Sequence, residues 1–554
     1  MRHGRVNTRL VLILVVALGI SGTVIHFVHG YMVDRNARDL YDRAVRLLDE
    51  AKADEADAQA AAGEKREKLE KQVTRKRSDA IRYLGQYVQL EDDDHQAWLL
   101  YAESSDKFQT ARGDRERVYE RLNAALRKLE SANESGQSGE DYGDKIVELR
   151  RRSIELAMQV GAIMREVAMF RLAAQEIDEL RTTLPDDAEL PLWSGICLER
   201  QQKWQEAAGK YDEAIAKDPG LVDAYRQLMA LITQHSDDVA YQQLGTADSG
   251  ESSAEDVVWR LGEKMVAKGR SPYKAYLARA AFNYERSQNA VQDDVRDAAL
   301  AQARNDIELS VKDWKESVEP QTKSPEDDGE SAAEDDAPLM AATSIYLASA
   351  SRAAELGDAA AADAYIAQAR QSAVAAHNRD PANLQNYLLL SNVEQTAEHS
   401  KPPTERDWSS SIQVLKDGLA QIPESQQIPT GEELHLRLTL VEQLIRAGYW
   451  RKSAGAEKNR ELDEAFALLK ERNAPSDRVE YLRALQLFEQ KDWVAAATAL
   501  GDVRERFIND PQVSLPLNSM LAICYGHLGN RDLQLQALQR TKELAPLNPR
   551  VRFQ

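Results

Sequence analysis

Between Trp204 and Gly220 the chain reads WQEAAGKYDEAIAKDPG. Apolar residues recur there at helical spacing, charged residues fill the intervals, and Pro-Gly closes the run. The preceding stretch FRLAAQEIDELRTTLPDD, residues 170–187, repeats the pattern. Ala173 stands in register with Ala207, Ile177 with Tyr211, Leu180 with Ala214 and Pro185 with Pro219, each pair 34 residues apart. Gly161 and Gly195, one helix earlier, keep the same interval. A constant interval of this size predicts a tandem array of helix pairs, because one pair cannot bury its apolar face alone and must stack on its neighbours.

The same patterning organises the rest of the chain. Leu40, Ala44, Leu47 and Leu48 form a helical stripe that fades between Ala51 and Ala62. A polar break near Gly63 then precedes a helix over about Glu64–Gln89. A helix pair is predicted from Asp94 to Leu129, with Trp98, Leu99, Leu100 and Tyr101 on its first member, and a Ser/Gly-rich loop over 131–144. Asp92, Asp93 and Asp94 read as helix-start charge. Residues 145–221 hold the best-formed tandem, with units at 154–187 and 188–221. Residues 222–316 stay helical in looser register, interrupted at 244–253, and Ser271-Pro272 reads as an N-cap followed by proline at the first helical position. The segment 317–338 is rich in Asp and Glu and has almost no large apolar residue, as expected of a flexible linker between an N-terminal array, 34–316, and a C-terminal array, 339–554. Breaks are predicted at 399–405 and 423–432, and no segment shows the period-2 alternation of a strand.

Residues 10–28, LVLILVVALGISGTVIHFV, carry no charge and approach the ~20 residues an α-helix needs to cross the hydrocarbon core. Arg2, Arg5 and Arg9 precede them. The expected topology is a cytoplasmic N-terminus, 1–9, an anchor over 10–30, and the bulk of the chain in the periplasm or outside the cell. Val28 and Gly30 leave cleavage as a signal peptide open as an alternative.

Length and charge narrow the function. At 554 residues the chain exceeds one ordinary core, and 43% apolar content with few aromatics suits helices packed through small side chains. A formal charge of −20 argues against a nucleic-acid partner, since phosphate contact needs a basic face. Cys197 and Cys524, the only cysteines, make no disulfide framework and read as buried small hydrophobes. The nine histidines are scattered, and no nucleophile elbow, phosphate loop or dinucleotide fingerprint is present. No catalytic residue, metal site or cofactor is therefore expected.

The 34-residue register resembles the tetratricopeptide repeat. Units numbered from Ile154 and Ala188 put Gly161 and Gly195 at that family's small first-helix position. Ala173 and Ala207 take the small second-helix position, Ile177 and Tyr211 the bulky one, with Leu180 and Ala214 following in register, and Pro185 and Pro219 the terminal proline. Trp98, Tyr101 and Ala102 suit the opening of a unit, as do Tyr225 and Leu228, and Tyr387 and Leu390 suggest a partial one. A further unit at 515–548 aligns Leu521, Ala522, Tyr525, Gly529, Leu538 and Pro546, although Gln534 occupies its usually small second-helix position.

The resemblance implies an all-α solenoid of stacked antiparallel helix pairs, a right-handed superhelix whose concave face is lined by first helices, here with one N-terminal transmembrane helix. It also implies binding of partner proteins. Some members grip a peptide carboxylate with Lys and Asn at the fifth and ninth positions, which here are Met158 and Ala162, Leu192 and Ile196, Ser519 and Ile523, so that clamp is missing. Met158, Leu192 and Ile196 are left as candidates for an apolar groove taking a helix or extended segment. The expected function is a membrane-anchored, non-catalytic scaffold of the kind that serves envelope assembly, secretion or polysaccharide export. Two alternatives stand beside it. One is the arm of a larger polypeptide carrying a catalytic domain. The other is a glycan-binding solenoid using Trp193, Trp204 or Trp259.

Overall fold

The computed structural model describes residues 35–544, apart from 59–60, 62–63, 110–112, 136–141, 246–252, 291, 318–336, 403, 423–428 and 509. Among the described residues the regular structure is helical throughout, with no strand. The chain divides into two compact units, 1–261 and 262–554.

The first unit contains α1 (35–58), α2 (Glu64–Leu90), α3 (His95–Phe108), α4 (Arg115–Ser135), α5 (Gly143–Met164), α6 (Val167–Thr183), α7 (Glu189–Arg200), α8 (Trp204–Lys217) and α9 (Val222–Gln234). The division falls within α10 (Ala254–Lys268). The second unit contains α11 (Pro272–Asn289), α12 (Asp293–Ser317), α13 (Ala337–Glu355), α14 (Ala359–Arg379), α15 (Leu384–Ser400) and α16 (Ser409–Ala420). It continues with α17 (Gly431–Arg446), α18 (Ala456–Glu471), α19 (Ser476–Glu489), α20 (Trp493–Arg504), α21 (Pro511–His527) and α22 (Arg531–Leu544).

The helix α8 shows why these sequences fold as they do. Ala207, Ala208, Tyr211, Ala214 and Ile215 lie on one face and are buried, while the charged positions face outward. Asp218 ends the helix, its side chain accepting from Gly220 N at 2.9 Å, and Pro219 prevents continuation. The ring of Tyr211 is fully buried against Gly195 of α7, where an added Cβ would overlap it, and its hydroxyl donates to Glu199 at 2.7 Å. In the preceding pair Phe170 takes that place: a Cβ on Gly161 would stand 2.8 Å from its ring, while Ile177, in register with Tyr211, fills the core beside it. The small residue thus recurs at the interval, but the ring that covers it arrives from a different position. Ala173 and Ala207 are both fully buried, and Pro185 and Pro219 each stand two residues beyond their helix ends.

Helix starts follow side-chain chemistry. Asp94, Asp358 and Asp492 each accept from a backbone N–H three residues on, at 3.0–3.1 Å, and Thr430 does so from Glu433 N at 3.1 Å. Ser271 does occupy the N-cap of α11 with Pro272 at its first position, but its side chain makes no capping bond. At the C-terminal pair, Leu521 and Ala522 are buried and Tyr525 is half-buried. Gly529 has φ +72° in the turn joining α21 to α22, so its role there is conformational. The packing glycine of that pair is Gly526, where a Cβ would stand 2.7 Å from the amide of Gln534.

The organisation departs from the sequence expectation in two respects. The helices flanking the acidic segment share one core: Leu300, Ala303 and Ile307 of α12 cluster with Ala342, Ile345 and Ala350 of α13. Arg352 forks onto Asp297 at 2.7 and 3.1 Å across the same pair. Residues 318–336 therefore join two helices that pack directly. The single-pass membrane placement is overturned: among the described residues no helix is long and apolar enough to cross a membrane. The reason is amphipathicity, since α2, the longest of them, carries charge along most of its length. The segments assigned to the N-terminus and anchor, 1–9 and 10–30, lie outside the described residues, as does Pro546.

Candidate functional site

Second helices lie against their own partner and against the first helix of the next pair, as α6 does between α5 and α7, and α14 between α13 and α15, but α18 packs on α17 with little or no contact to α19. First helices also touch one another: α7 meets α9 in the first unit, and α11, α13, α15, α17 and α19 meet in succession in the second. First helices α11 to α19 are thus a continuous row in the second unit, while the candidate groove residues fall on the first helices α5 and α7 of the first unit. Met158 and Ile196 are half-buried, and Met158 packs against the core that holds Leu126, Ile154 and Ile177. Leu192 is only 6% exposed and belongs to the interior rather than to a binding face. At the equivalent C-terminal positions, Ser519 turns its hydroxyl onto Leu515 O at 3.0 Å, and Ile523 is 42% exposed.

In the second unit the row carries a polar face that sequence reading missed. Glu442 of α17 lies within electrostatic reach of both His399 of α15 and His435 of α17, and Arg478 of α19 lies within reach of His435. The imidazole of His399 contacts Gln395 O at 2.8 Å and stands edge-on to Trp408, with ring centroids 5.0 Å apart. Desolvation holds it below the usual histidine range, with Arg446 and Arg406 adding to the effect and the Gln395 carbonyl and Glu442 opposing it. His435 is held down in the same direction by desolvation and then by Arg478, again against Glu442. Arg446 closes back onto Glu442 with two bonds of 2.8 and 3.0 Å. Near neutral pH this face therefore presents neutral imidazoles among paired charges. Such a surface suits hydrogen bonding to a polypeptide. Among the described residues no group of three or more His, Cys, Asp or Glu is placed to hold a metal. The spacing of these residues along the chain follows no single-helix motif, so only stacking of pairs brings them together.

Two of the three tryptophans singled out for glycan stacking, Trp193 and Trp204, have a ring face covered. Trp204 stacks on His235 with ring centroids 3.8 Å apart and planes at 12°. Trp193 is half-buried beneath the Arg151 guanidinium, 5.6 Å from its ring centre, and Trp259 is half-buried. The Trp204 arrangement recurs at Trp493 and His527, 4.2 Å apart at 6°. In both cases a tryptophan opening a second helix meets a histidine at the end of the next first helix.

Cys197 and Cys524 are both free and buried, one in each unit. Burial pushes their thiols up to about 12 and about 11.

No family model matches the chain, and no curated protein matches it. Among solved structures, the human IFIT1 dimer with m7Gppp-AAAA is similar at 12% identity and TM-score 0.37, covering 92% of this chain and 95% of that one. Yeast Tom70 is similar at 10% identity and TM-score 0.38, over 91% and 99%. MamA from Desulfovibrio magneticus RS-1 is similar at 15% identity and TM-score 0.22, over 38% and 99%. At these levels of likeness the helix-pair geometry described above remains the ground for any reading of this chain.

Proposed function

We propose that this tetratricopeptide-like chain is a non-catalytic scaffold that binds segments of partner proteins along its rows of first helices. The observation that carries the reading is the succession of first-helix contacts, α11 to α13 to α15 to α17 to α19. It joins side chains far apart in sequence into one surface, which is what recognition of an extended or helical segment requires. The half-exposed Met158 and Ile196 supply apolar contacts in the first unit, and the His399, His435 and Glu442 face supplies polar ones in the second. A glycan partner is less well supported, because Trp193 and Trp204 each have a ring face covered. The formal charge of −20 weighs against RNA.

The test places a photo-crosslinking residue at Ile196, and in a second protein at the exposed Gly209 on the second helix α8. Specific protein adducts from Ile196 alone, lost on Met158→Glu with the circular dichroism unchanged, support the reading. Equal adducts from both positions, or none from either, would contradict it.

A further inference from the structure

Apart from the rows of first helices, the second unit contains a cavity of about 210 Å³ between the end of α20, the turn that follows it, α21 and α22. Its lining is Arg504, Glu505, Ile508, Ser514, Asn518 and Arg540. Asn518 is 1% exposed. Its Nδ2 donates to Ser514 O at 2.7 Å and reaches Ser514 Oγ at 3.4 Å, which fixes the orientation of the amide. Its Oδ1 is buried with no hydrogen-bond partner. That oxygen is closed off from the cavity, so Asn518 serves as part of its wall. Arg504 is half-buried and has no ion-pair or hydrogen-bond partner among the described residues, whereas Arg540 pairs with Glu543 at 2.9 Å. The cavity is an order of magnitude larger than the ~10–15 Å³ one water needs.

The lining therefore offers a free guanidinium for a carboxylate, the Glu505 carboxylate for an N–H donor, and the apolar wall of Ile508. The presence of Glu505 disfavours a polyanion. We propose that this cavity binds a small α-amino acid as its zwitterion. The carboxylate accepts from Arg504 with Arg540 alongside, the ammonium donates to Glu505, and a short apolar side chain lies on Ile508. This inference stands independently of the scaffold reading, since the site lies beyond the row from α11 to α19, between α20, the turn after it, α21 and α22.

The experiment is calorimetric titration of the full chain with L-valine and L-alanine, beside valinamide, N-acetylvaline and inorganic phosphate. One saturable site for valine is expected, weakened roughly tenfold or more when the carboxylate or the ammonium is blocked. Arg504→Gln and Glu505→Gln both change side chains that reach solvent, so the thermal midpoint should hold while valine binding falls by a similar factor. The proposal is overturned if neither amino acid binds at about 10 mM. Affinity unchanged in both variants would also overturn it, as would N-acetylvaline or phosphate binding as well as valine.

Discussion

A Cβ at Gly195 would overlap the buried ring of Tyr211, whereas one at Gly209, on the exposed face of α8, meets nothing within 4 Å. Helix propensity favours alanine over glycine by about 1 kcal/mol at both. Gly209→Ala should therefore stabilise the protein by up to about 1 kcal/mol. Gly195→Ala should destabilise it, because overpacking a ring with no room to move costs about 1–3 kcal/mol. The two denaturant midpoints check this, and a rise in both would show that Tyr211 yields easily. The histidines give a pH prediction. His399 and His435 are held below their ordinary range in the folded chain, so the unfolded chain binds protons first as pH falls. Their contribution is complete above the unfolded value and is lost progressively as pH falls from there through the lower folded value. The second unit should be more easily unfolded at about pH 5.5 than at about pH 7.5, and His399→Gln with His435→Gln should flatten that dependence. An unchanged slope in the double variant would refute the assignment.

At the scale of helices, α12 and α13 hold one another directly through Leu300, Ile307 and Ile345 and through Arg352 on Asp297. The composition of 318–336 leads to the expectation that this segment contributes to stability mainly as loop length. Replacing 318–336 by a Gly/Ser linker of about half the length should alter stability by no more than about 0.6 kcal/mol, since loop-closure entropy changes only logarithmically. A larger loss would mean that the segment itself packs. Helices were legible because apolar residues at Ala207, Tyr211 and Ala214 repeat at the period of the backbone, and because Asp94 and Pro219 mark ends by chemistry local to the chain. Partnership across helices was less legible. Sequence register places Ile177 where Tyr211 stands, yet Phe170 covers Gly161, because side-chain size decides which ring reaches the gap. Gln534, an apparent departure, lies over Gly526, a glycine outside the repeat register. The acidic composition of 318–336 resembled a boundary because composition reports solvation, whereas the boundary depends on which helices share a core.

At the scale of the molecule, the apolar cores run as strips along each unit, from Ala102 to Cys197 in the first and from Tyr387 to Ala537 in the second. Stacked pairs of this kind lose cooperativity when contacts between blocks are fewer than those within them. The His399 face and the Asn518 cavity were invisible in the sequence for the same reason, since stacking alone assembles them. Unfolding of the full chain should therefore fail a single-transition fit, and far-ultraviolet dichroism against urea measures this. One coincident transition by every probe would show that the two units melt as one. Cys197 and Cys524 turn that question into a chemical one. Each thiol is shut away in a different unit, so a pulse of alkylating reagent can mark a unit only while it is open. Mass spectrometry of the two cysteine peptides then records the opening of each half of the chain separately, with no engineered label.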